Sequence, residues 1–412
     1  MRGVMLILEG LADEAWGGDP DTTPLEAAQT PALDQLAKEG RIGLAALGEA
    51  ELAFDPTVGL LAALGCELDR EVGWPAGVVE ALGKGVELVE DQAVGRLSLV
   101  TVEDERIVDP AGGRLSDIEG AALYEALEPV LTSLMSCGGT ARVVPTGEAR
   151  AVITFDGGEL EAIAERFSVP VLEGWRRPLK QVLDSRIDCA FMEVMDASAE
   201  LIANHEIVRS RTEMGETVPT HVWPWGFGLR TSGPRLEKML PRVRKGEPLR
   251  RALVTASDRG AGAGAWLGWE VIRAEPGVDM ADTAARALDD HAVVAVHDDR
   301  VRRRMLADDE AGMAEMIAAL DRELIGPLRG VLDSYHSWRM LVLPTNCLGP
   351  NRPEDCVGVA PWLMTGERVR SAVQRPFTMN AAWESDLRVA HGHELLEFFL
   401  FSGGVRPGLG MR

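Results

Sequence analysis

The sequence predicts an α/β fold in which a core with a mostly parallel sheet carries a smaller inserted α+β domain. Apolar runs alternate with helical patterns at the start of the chain and again from Pro219 onward, which is typical of a doubly wound sheet. Between residues 71 and 174, many short alternating runs surround one long helix. We therefore expect a discontinuous core of residues 1–70 and 175–412, with residues 71–174 as the insert.

The N-terminal segment opens the predicted sheet. An apolar run from Val4 to Leu8 ends at Glu9, which suits a buried parallel strand that leads into a loop. A helix follows, with Pro31 in its first turn and Gly40 as its C-cap. A strand over 43–47 and a short helix over 60–64 complete the segment.

The remaining elements follow from the same periodicities. In the insert, strands are predicted at 86–89, 93–102, 106–108, 142–144 and 151–155, and a helix over Asp117–Met135. In the second half of the core, strands are predicted at 251–255, 271–274, 292–297 and 340–344, and helices at 281–289 and 309–328.

Composition limits the classes of function. The 42 Lys and Arg residues face 65 Asp and Glu residues, a net charge of −23, which argues against binding to nucleic acid or to an anionic membrane. The N-terminal apolar run is too short for a signal peptide, and no run approaches the roughly 20 residues of a membrane span. We expect a soluble cytoplasmic protein. The five cysteines are scattered and form no CxxC pair, so neither a disulfide framework nor a zinc knuckle is predicted.

Two stretches near the N-terminus carry a specific resemblance. They read LEGLAD at residues 8–13 and TPLEAAQTPALDQLA at residues 23–37. With Glu80–Gly85 and Asp91–Leu115, they resemble the archaeal-type cofactor-independent (2,3-bisphosphoglycerate-independent) phosphoglycerate mutases of the alkaline phosphatase superfamily. The resemblance implies a three-layer alkaline-phosphatase-like core. It also implies two divalent cations, Mn or Zn, and a phosphoserine in the isomerisation of 2- and 3-phosphoglycerate.

Most of the family's metal and nucleophile positions hold other residues here. Glu9 stands where the resemblance implies an aspartate ligand; the alternative is a buried glutamate paired with a nearby arginine. Pro56 stands at the serine nucleophile, which leaves Thr57 as the remaining candidate. Arg302 and Leu306 replace an aspartate and a histidine ligand. Arginine stays protonated and cannot bind a cation.

The C-terminal ligand motifs are replaced as well. Asn346 and Cys347 stand where the resemblance implies aspartate and histidine, and Asp355 stands where it implies the last histidine. Glu9 and Asp355 are therefore the remaining candidate metal ligands. We predict no cofactor; the two cations belong to an alternative with a rearranged site.

Three arginines of the predicted insert match family arginines: Arg96, Arg114 and Arg150. Guanidinium groups suit phosphate or carboxylate, so the three could form a small anion pocket. Arginines shared by a family also hold a domain together, and the two interpretations stay open.

Three further motifs favour structural roles. Gly260–Gly264 alternates Gly and Ala but lacks the Gly-Lys-Ser/Thr ending of a phosphate-binding loop, so a closely packed helix is favoured. Trp223–Gly228 is interpreted as an aromatic loop that lines a pocket or fills the space of absent metals. His391 and His393 resemble a metal motif, but a structural role is favoured.

Two classes of function follow. In the first, the chain is a phosphoglycerate-mutase-like pseudoenzyme that binds a small anionic metabolite or a protein partner. In the second, it is an active metal-dependent phosphoglycerate mutase, a glycolytic isomerase, or a related phosphoryl-transfer enzyme. The polar residues available to such an enzyme for catalysis and metal binding would be Glu9, Thr57, Asp298, Asp299 and Asp355. The first is favoured, because losing nearly every ligand removes the cations that stabilise the transition state.

Overall fold

A computed structural model gives the fold of most of the chain. The described residues are 1–11, 22–47, 56–68, 75–90, 92–136, 139–147, 149–157, 179, 189–230, 233, 249–307, 309–345, 359–371 and 374–402. Within these residues, none of the helices combines the length and apolar character needed to cross a bilayer.

The strands fall into two sheets. They are β1 (Arg2–Glu9), β2 (Arg41–Ala46), β3 (Ala93–Glu103), β4 (Arg106–Asp109), β5 (Thr140–Gly147), β6 (Arg150–Asp156), β7 (His221–Leu229), β8 (Arg251–Thr255), β9 (Glu270–Arg273), β10 (Val293–Asp298), β11 (Trp338–Thr345), β12 (Val359–Gly366) and β13 (Arg388–Val389).

The α-helices are α1 (Pro24–Ala27), α2 (Pro31–Glu39), α3 (Pro56–Ala63), α4 (Ala76–Gly83), α5 (Asp117–Met135), α6 (Cys189–Asn204), α7 (Glu206–Glu213), α8 (Asp258–Trp266), α9 (Val278–Asp290), α10 (Arg300–Leu306), α11 (Glu310–Leu320), α12 (Gly326–Leu332), α13 (Met379–Trp383) and α14 (Glu394–Glu397). Two π-helical turns, Asp321–Ile325 and Phe398–Ser402, continue α11 and α14.

The chain divides into two compact units. One combines Met1–Arg70 with Gly233–Arg412, and the other spans Glu71–Ser232. The insert therefore extends beyond residue 174, the end that the sequence pattern predicts for it. The reason is a long-range pairing: β7 forms an antiparallel ladder with β3, so the chain must stay in the insert until that strand is complete.

The core unit is built on an eight-stranded sheet of order β13-β2-β12-β11-β1-β10-β8-β9. The five strands from β11 to β9 are mutually parallel, and β12 runs antiparallel to both of its neighbours. The predicted α/β class with a mostly parallel sheet is confirmed.

Helices cover both faces of this sheet, which makes three layers. Val4, Leu6 and Leu8 of β1 face a buried cluster that includes apolar residues of α2, α9, α11 and α12. On the opposite face, the small residues of α8 let its backbone approach closely: a Cβ at Gly264 would lie 2.7 Å from the Leu253 side chain. The favoured interpretation of Gly260–Gly264 as a closely packed helix is confirmed.

The insert has its own sheet, of order β4-β3-β6-β5, with β7 also paired to β3. Helix α5 spans Asp117–Met135, as the sequence predicts, because Ser116 and Glu119 form a reciprocal capping box at its start. It packs against β5 and α6.

Segment Trp223–Gly228 is part of β7, so its interpretation as a loop is wrong. Alternating aromatic residues suit a half-buried strand, and here they build the core of the insert. Trp223 packs edge-on against Phe191 with ring centroids 5.0 Å apart, and the Trp225 indole donates a hydrogen bond to Ser98.

Helix α2 receives its N-terminal cap from a distant residue. Its own N-cap, Thr30, makes no side-chain capping hydrogen bond. Instead, the buried Asp321 carboxylate accepts from the amides of Ala32 at 3.0 Å and Leu33 at 2.7 Å. This satisfies two amides that the helix leaves without an internal partner.

We expect Asp321→Ala to lower the free energy of unfolding by about 2 kcal/mol, since the cap is buried and charge-assisted. Urea denaturation monitored by circular dichroism measures it. Asp282→Ala, an exposed change on α9, is the control and should stay within about 0.5 kcal/mol of wild type. Equal stability of the two variants would contradict the capping role.

Candidate functional site

The carboxyl ends of four neighbouring parallel strands place polar residues on one face of the core sheet. Thr255 of β8 is paired with His297 of β10, and His297 is paired with Ile7 of β1. Glu9 lies two residues beyond Ile7 and is paired with Thr345 of β11. Registered neighbours in a parallel sheet share a face, as do residues i and i+2. Thr255, His297, Glu9 and Thr345 therefore line one edge.

Glu9 is the centre of a buried ion cluster. Its Oε1 accepts from His297 Nε2 at 2.7 Å, and its Oε2 accepts from Arg259 Nη2 at 2.6 Å. Arg302 Nε lies 3.8 Å from the same Oε2. We call Glu9, His297, Arg259 and Arg302 the Glu9 cluster. Glu9 is therefore buried and paired with an arginine, as the alternative to a metal ligand describes.

The surroundings keep Glu9 ionised. Complete burial opposes its charge, but Arg259, His297 and Arg302 outweigh burial and hold the pKa of Glu9 at about 2, below its ordinary value of 4.5. Glu9 is thus an acceptor for its neighbours at neutral pH.

The hydrogen-bond chain continues inward from His297. Its Nδ1 lies 3.1 Å from the Thr255 hydroxyl, which also accepts from the Ser257 amide. A Cβ at Gly260 of α8 would lie 2.5 Å from both His297 Nδ1 and Thr255 Oγ1. Helix α8 therefore covers the hydrogen bonds between His297 and Thr255 and shields them from solvent. Thr255 is fully buried, so its hydroxyl is not accessible as a nucleophile.

The two aspartates after His297 belong to further ion pairs. Buried Asp298 accepts from the Arg300 amide and side chain and so caps the start of α10. Asp299 lies 3.6 Å from Arg259 and 3.0 Å from Arg303. Asp298 is buried, and Arg300 compensates its charge.

The described residues do not fit a pair of divalent cations. Both Glu9 oxygens face cationic or hydrogen-bond-donating groups, and the Arg302 guanidinium adds positive charge beside them. Across the described ranges, no group of three His, Cys, Asp or Glu residues is arranged to hold a metal ion. Asp355, Asn346, Cys347 and the Leu306 side chain lie outside the described residues.

Thr57 lies in the first turn of α3 and is buried. Helix α3 packs against α8 and β11, on the face that carries Glu9. Its role as a nucleophile stays a prediction from the resemblance.

Two of the three candidate arginines of the insert converge on Glu80. Arg96 is buried and ion-paired with Glu80, and its guanidinium lies over the Trp225 ring, 4.7 Å from the ring centroid. Arg150 Nε lies 3.4 Å from the other Glu80 oxygen, and 37% of its side chain is exposed. These contacts favour a positioning role for Arg96 and leave Arg150 accessible to a ligand.

Arg114 is exposed, in the turn that follows β4, with a left-handed φ of 51°. The preceding turn is held by Asp109, whose carboxylate accepts from the amides of Ala111 and Gly113. The structure thus presents Arg114 to solvent on an ordered turn.

His391 and His393 stack with ring centroids 5.7 Å apart at the start of α14. Burial lowers the pKa of His393. Neither histidine belongs to a three-ligand group in the described part of the chain.

Sequence reasoning missed Arg259 as the main partner of Glu9. The available signal was its place in the first turn of the helix that follows a parallel strand. Side chains from such positions meet at the carboxyl edge of the sheet.

Comparison with known proteins gives relatives along nearly the whole chain. The sequence profile of the 2,3-bisphosphoglycerate-independent phosphoglycerate mutase family matches residues 37–208. The enzyme of that name from Methanothrix thermoacetophila is 25% identical, covering 97% of this chain and 100% of its own. Its counterpart "mutase 2" from Methanothermobacter thermautotrophicus is 28% identical, covering 97% of both chains.

Solved structures give the same fold. A Pyrococcus horikoshii protein matches with a TM-score of 0.66 at 20% identity, covering 99% of both chains. A cofactor-independent phosphoglycerate mutase from Thermoplasma acidophilum matches with a TM-score of 0.57 at 19% identity, covering 98% of this chain and 100% of its own.

We expect Glu9→Gln to lower the free energy of unfolding by about 3 kcal/mol at pH 7, since it leaves two guanidinium groups without their buried counter-charge. The pKa of Glu9 is about 2 when folded and 4.5 ordinarily. The stabilisation is therefore complete above about pH 5 and is lost as the pH falls towards 2. Denaturation of wild type and variant across this range measures the difference.

The control is Glu39→Gln, which removes the partly exposed pair of Glu39 with Arg329 and should cost less than about 1 kcal/mol. A wild-type advantage over Glu9→Gln that stays constant from pH 6 to 2 would contradict the ionised state of Glu9.

Proposed function

We propose that this chain, a relative of the 2,3-bisphosphoglycerate-independent phosphoglycerate mutases, does not perform two-metal phosphoryl transfer and instead binds a small anionic metabolite. The observation that carries the proposal is the Glu9 cluster. A carboxylate at the end of β1 is occupied by His297 and Arg259, with Arg302 beside it.

Two-metal phosphoryl transfer depends on cations that neutralise the transferred group and activate the attacking hydroxyl. Those cations need several carboxylate or imidazole ligands with open lone pairs. In the Glu9 cluster, a permanently charged guanidinium stands where the resemblance implies an aspartate, and its charge repels a cation. The proposal therefore assigns a pseudoenzyme role to the core site.

Ligand binding is proposed for Arg114 and Arg150 of the insert, with Arg96 positioning Arg150 through Glu80. Both Arg114 and Arg150 reach solvent, and guanidinium groups bind phosphate and carboxylate oxygens in pairs. A phosphorylated three-carbon acid combines both groups. A protein partner in place of the metabolite is the alternative within this proposal, and we also propose a cytoplasmic location.

The second candidate is an active phosphoglycerate mutase. It is supported by the named enzymes that align with 97% of the chain. Under this candidate, the metal ligands would come in part from residues outside the described ranges, such as Asp355.

We expect the purified protein to retain no Mn²⁺ or Zn²⁺ after incubation and desalting. We expect its turnover of 3-phosphoglycerate to be at least about 10³-fold below that of a metal-dependent relative. Elemental analysis and a coupled mutase assay on one sample measure both. The Methanothermobacter thermautotrophicus enzyme, treated identically, is the positive control.

Retention of two metals per chain, or turnover that a chelator abolishes, would establish the second candidate instead. If the protein retained metal but showed no turnover, the proposal that Arg302 keeps cations out of the core site would also be wrong.

We expect Arg150→Gln to weaken the binding of 3-phosphoglycerate about tenfold, because a charge-assisted hydrogen bond is lost while the buried Arg96–Glu80 pair remains. Isothermal titration calorimetry measures the affinity. Arg142→Gln, an exposed arginine on β5, is the matched control and should bind like wild type. If both variants bound 3-phosphoglycerate equally weakly, the effect would come from the net charge of the protein, and the proposed role of Arg150 would be wrong.

A further inference from the structure

A cavity of about 360 Å³ lies at the amino end of β11, at the opposite end of this strand from the Glu9 cluster. A volume of this order holds a small organic molecule. Helix α2, which packs against β12, ends beside the cavity. The residues that line it include Glu39, His336, Trp338, Thr365, Glu367 and Val369.

Thr365 of β12 places a buried hydroxyl in the wall of this cavity. It is paired with Met340 of β11, so its side chain lies on the face of the sheet that also carries Trp338. Only 2% of Thr365 is exposed, and its hydroxyl forms no hydrogen bond with another group in the described ranges. A buried hydroxyl without a partner costs free energy, which a bound ligand recovers.

Glu39 contributes one carboxylate to the cavity. One of its oxygens accepts from the Gln35 side-chain amide at 2.7 Å, and the other accepts from Arg329 at 3.2 Å. Arg329 is shared with Asp333. Because each carboxylate oxygen can accept two hydrogen bonds, the partly exposed Glu39 can accept further donors.

Glu367 contributes the second carboxylate. One oxygen accepts from the Ser337 hydroxyl, and the other lies 3.6 Å from Nε of the exposed Arg368. It therefore also keeps acceptor capacity. Among the described residues that line the cavity, none is an arginine or a lysine. The walls thus present hydrogen-bond acceptors, which favour a ligand that carries donors.

The spacing of these acceptors argues against a metal ion. Glu39, His336 and Glu367 all line the cavity, yet in the described part of the chain no three residues of these types are arranged to hold one ion. Acceptors that are too far apart to share an ion suit a molecule whose donors are separated in the same way.

The aromatic ring in the wall offers no stacking surface. Trp338 packs against the buried core cluster, and the Arg329 guanidinium lies over its ring, 4.3 Å from the centroid. A nucleobase or a sugar needs a free aromatic face for stacking. The edge of Trp338 and the Val369 side chain suit a narrow aliphatic stem instead.

We propose that this cavity binds a small aliphatic diamine, with one ammonium group on Glu39, the other on Glu367, and the Thr365 hydroxyl as a further acceptor. An ammonium group is a compact donor of three hydrogen bonds. The net charge of −23 also raises the local concentration of a cationic ligand. The proposal goes beyond the proposed function, because it involves neither the insert arginines nor the Glu9 cluster.

The test is calorimetric titration of α,ω-diamines with three, four and five carbons into the full chain at about 150 mM salt, which screens general attraction. Each diamine is compared with the monoamine of the same length. At least one diamine is expected to bind about tenfold more tightly than its monoamine, because it forms a second charge-assisted hydrogen bond.

Variants then locate the site. Glu367→Gln should weaken binding of that diamine about tenfold, and Thr365→Val, which keeps the side-chain shape, should weaken it about threefold or more. Glu213→Gln, the same change at an exposed position of the insert, is the matched control and should bind within about twofold of wild type.

Thermal unfolding of each variant checks its folding, and Thr365→Val keeps the proposal testable if Glu367→Gln fails to fold. The proposal is wrong if no diamine binds more tightly than its monoamine. It is also wrong if Glu213→Gln weakens binding as much as Glu367→Gln, since net charge alone would then attract the diamine. Displacement of the diamine by an equal concentration of Mg²⁺ would identify a metal site instead. Because Arg150 is unchanged in every variant, failure here leaves the proposed function of the insert untouched.

Discussion

A fully buried carboxylate at the end of β1 is the constraint around which the core site is built. Burying an unpaired charge costs several kcal/mol, so Glu9 requires partners at fixed positions. Arg259 comes from the first turn of α8 and Arg302 from α10, so one carboxylate fixes where two helices begin relative to the sheet. Gly10 and Gly260 then have no room for a side chain, because the helices approach so closely.

The same geometry reverses the electrostatic preference that the resemblance implies for this edge. A site for two divalent cations needs an excess of negative ligands. In the Glu9 cluster, by contrast, one carboxylate faces two guanidinium groups, and the other carboxylate nearby, Asp299, lies 3.6 Å from Arg259. An arginine cannot lose its charge by a shift in pKa, so no local rearrangement of the Arg302 side chain turns it into a ligand. The proposed loss of two-metal chemistry therefore depends on the sign of this charge rather than on the loss of any single residue.

Local patterns in the sequence predict the elements whose signals are local. Helix α5 has its capping box and apolar spacing within its own residues, and the parallel strands are short apolar runs. The end of the insert was missed, because β7 joins β3 across more than a hundred residues and only the pairing shows it. Arg259 was missed for a similar reason: its partner Glu9 lies 250 residues earlier, on the other side of the insert, and local periodicity carries no information on that contact.

The fold of this chain and the chemistry proposed for its core site depend on different residues, so one can be retained while the other changes. The fold rests on apolar burial over both faces of the sheet, which tolerates exchange of one aliphatic residue for another and explains relatives with 25–28% identity along 97% of the chain. The proposed function depends on a few charged side chains at the carboxyl edge of the core sheet, where an arginine in place of an acidic residue changes the sign of the local charge. A shared fold therefore does not by itself assign the chemistry of this protein, and the proposed function depends on the ion pairs of Glu9.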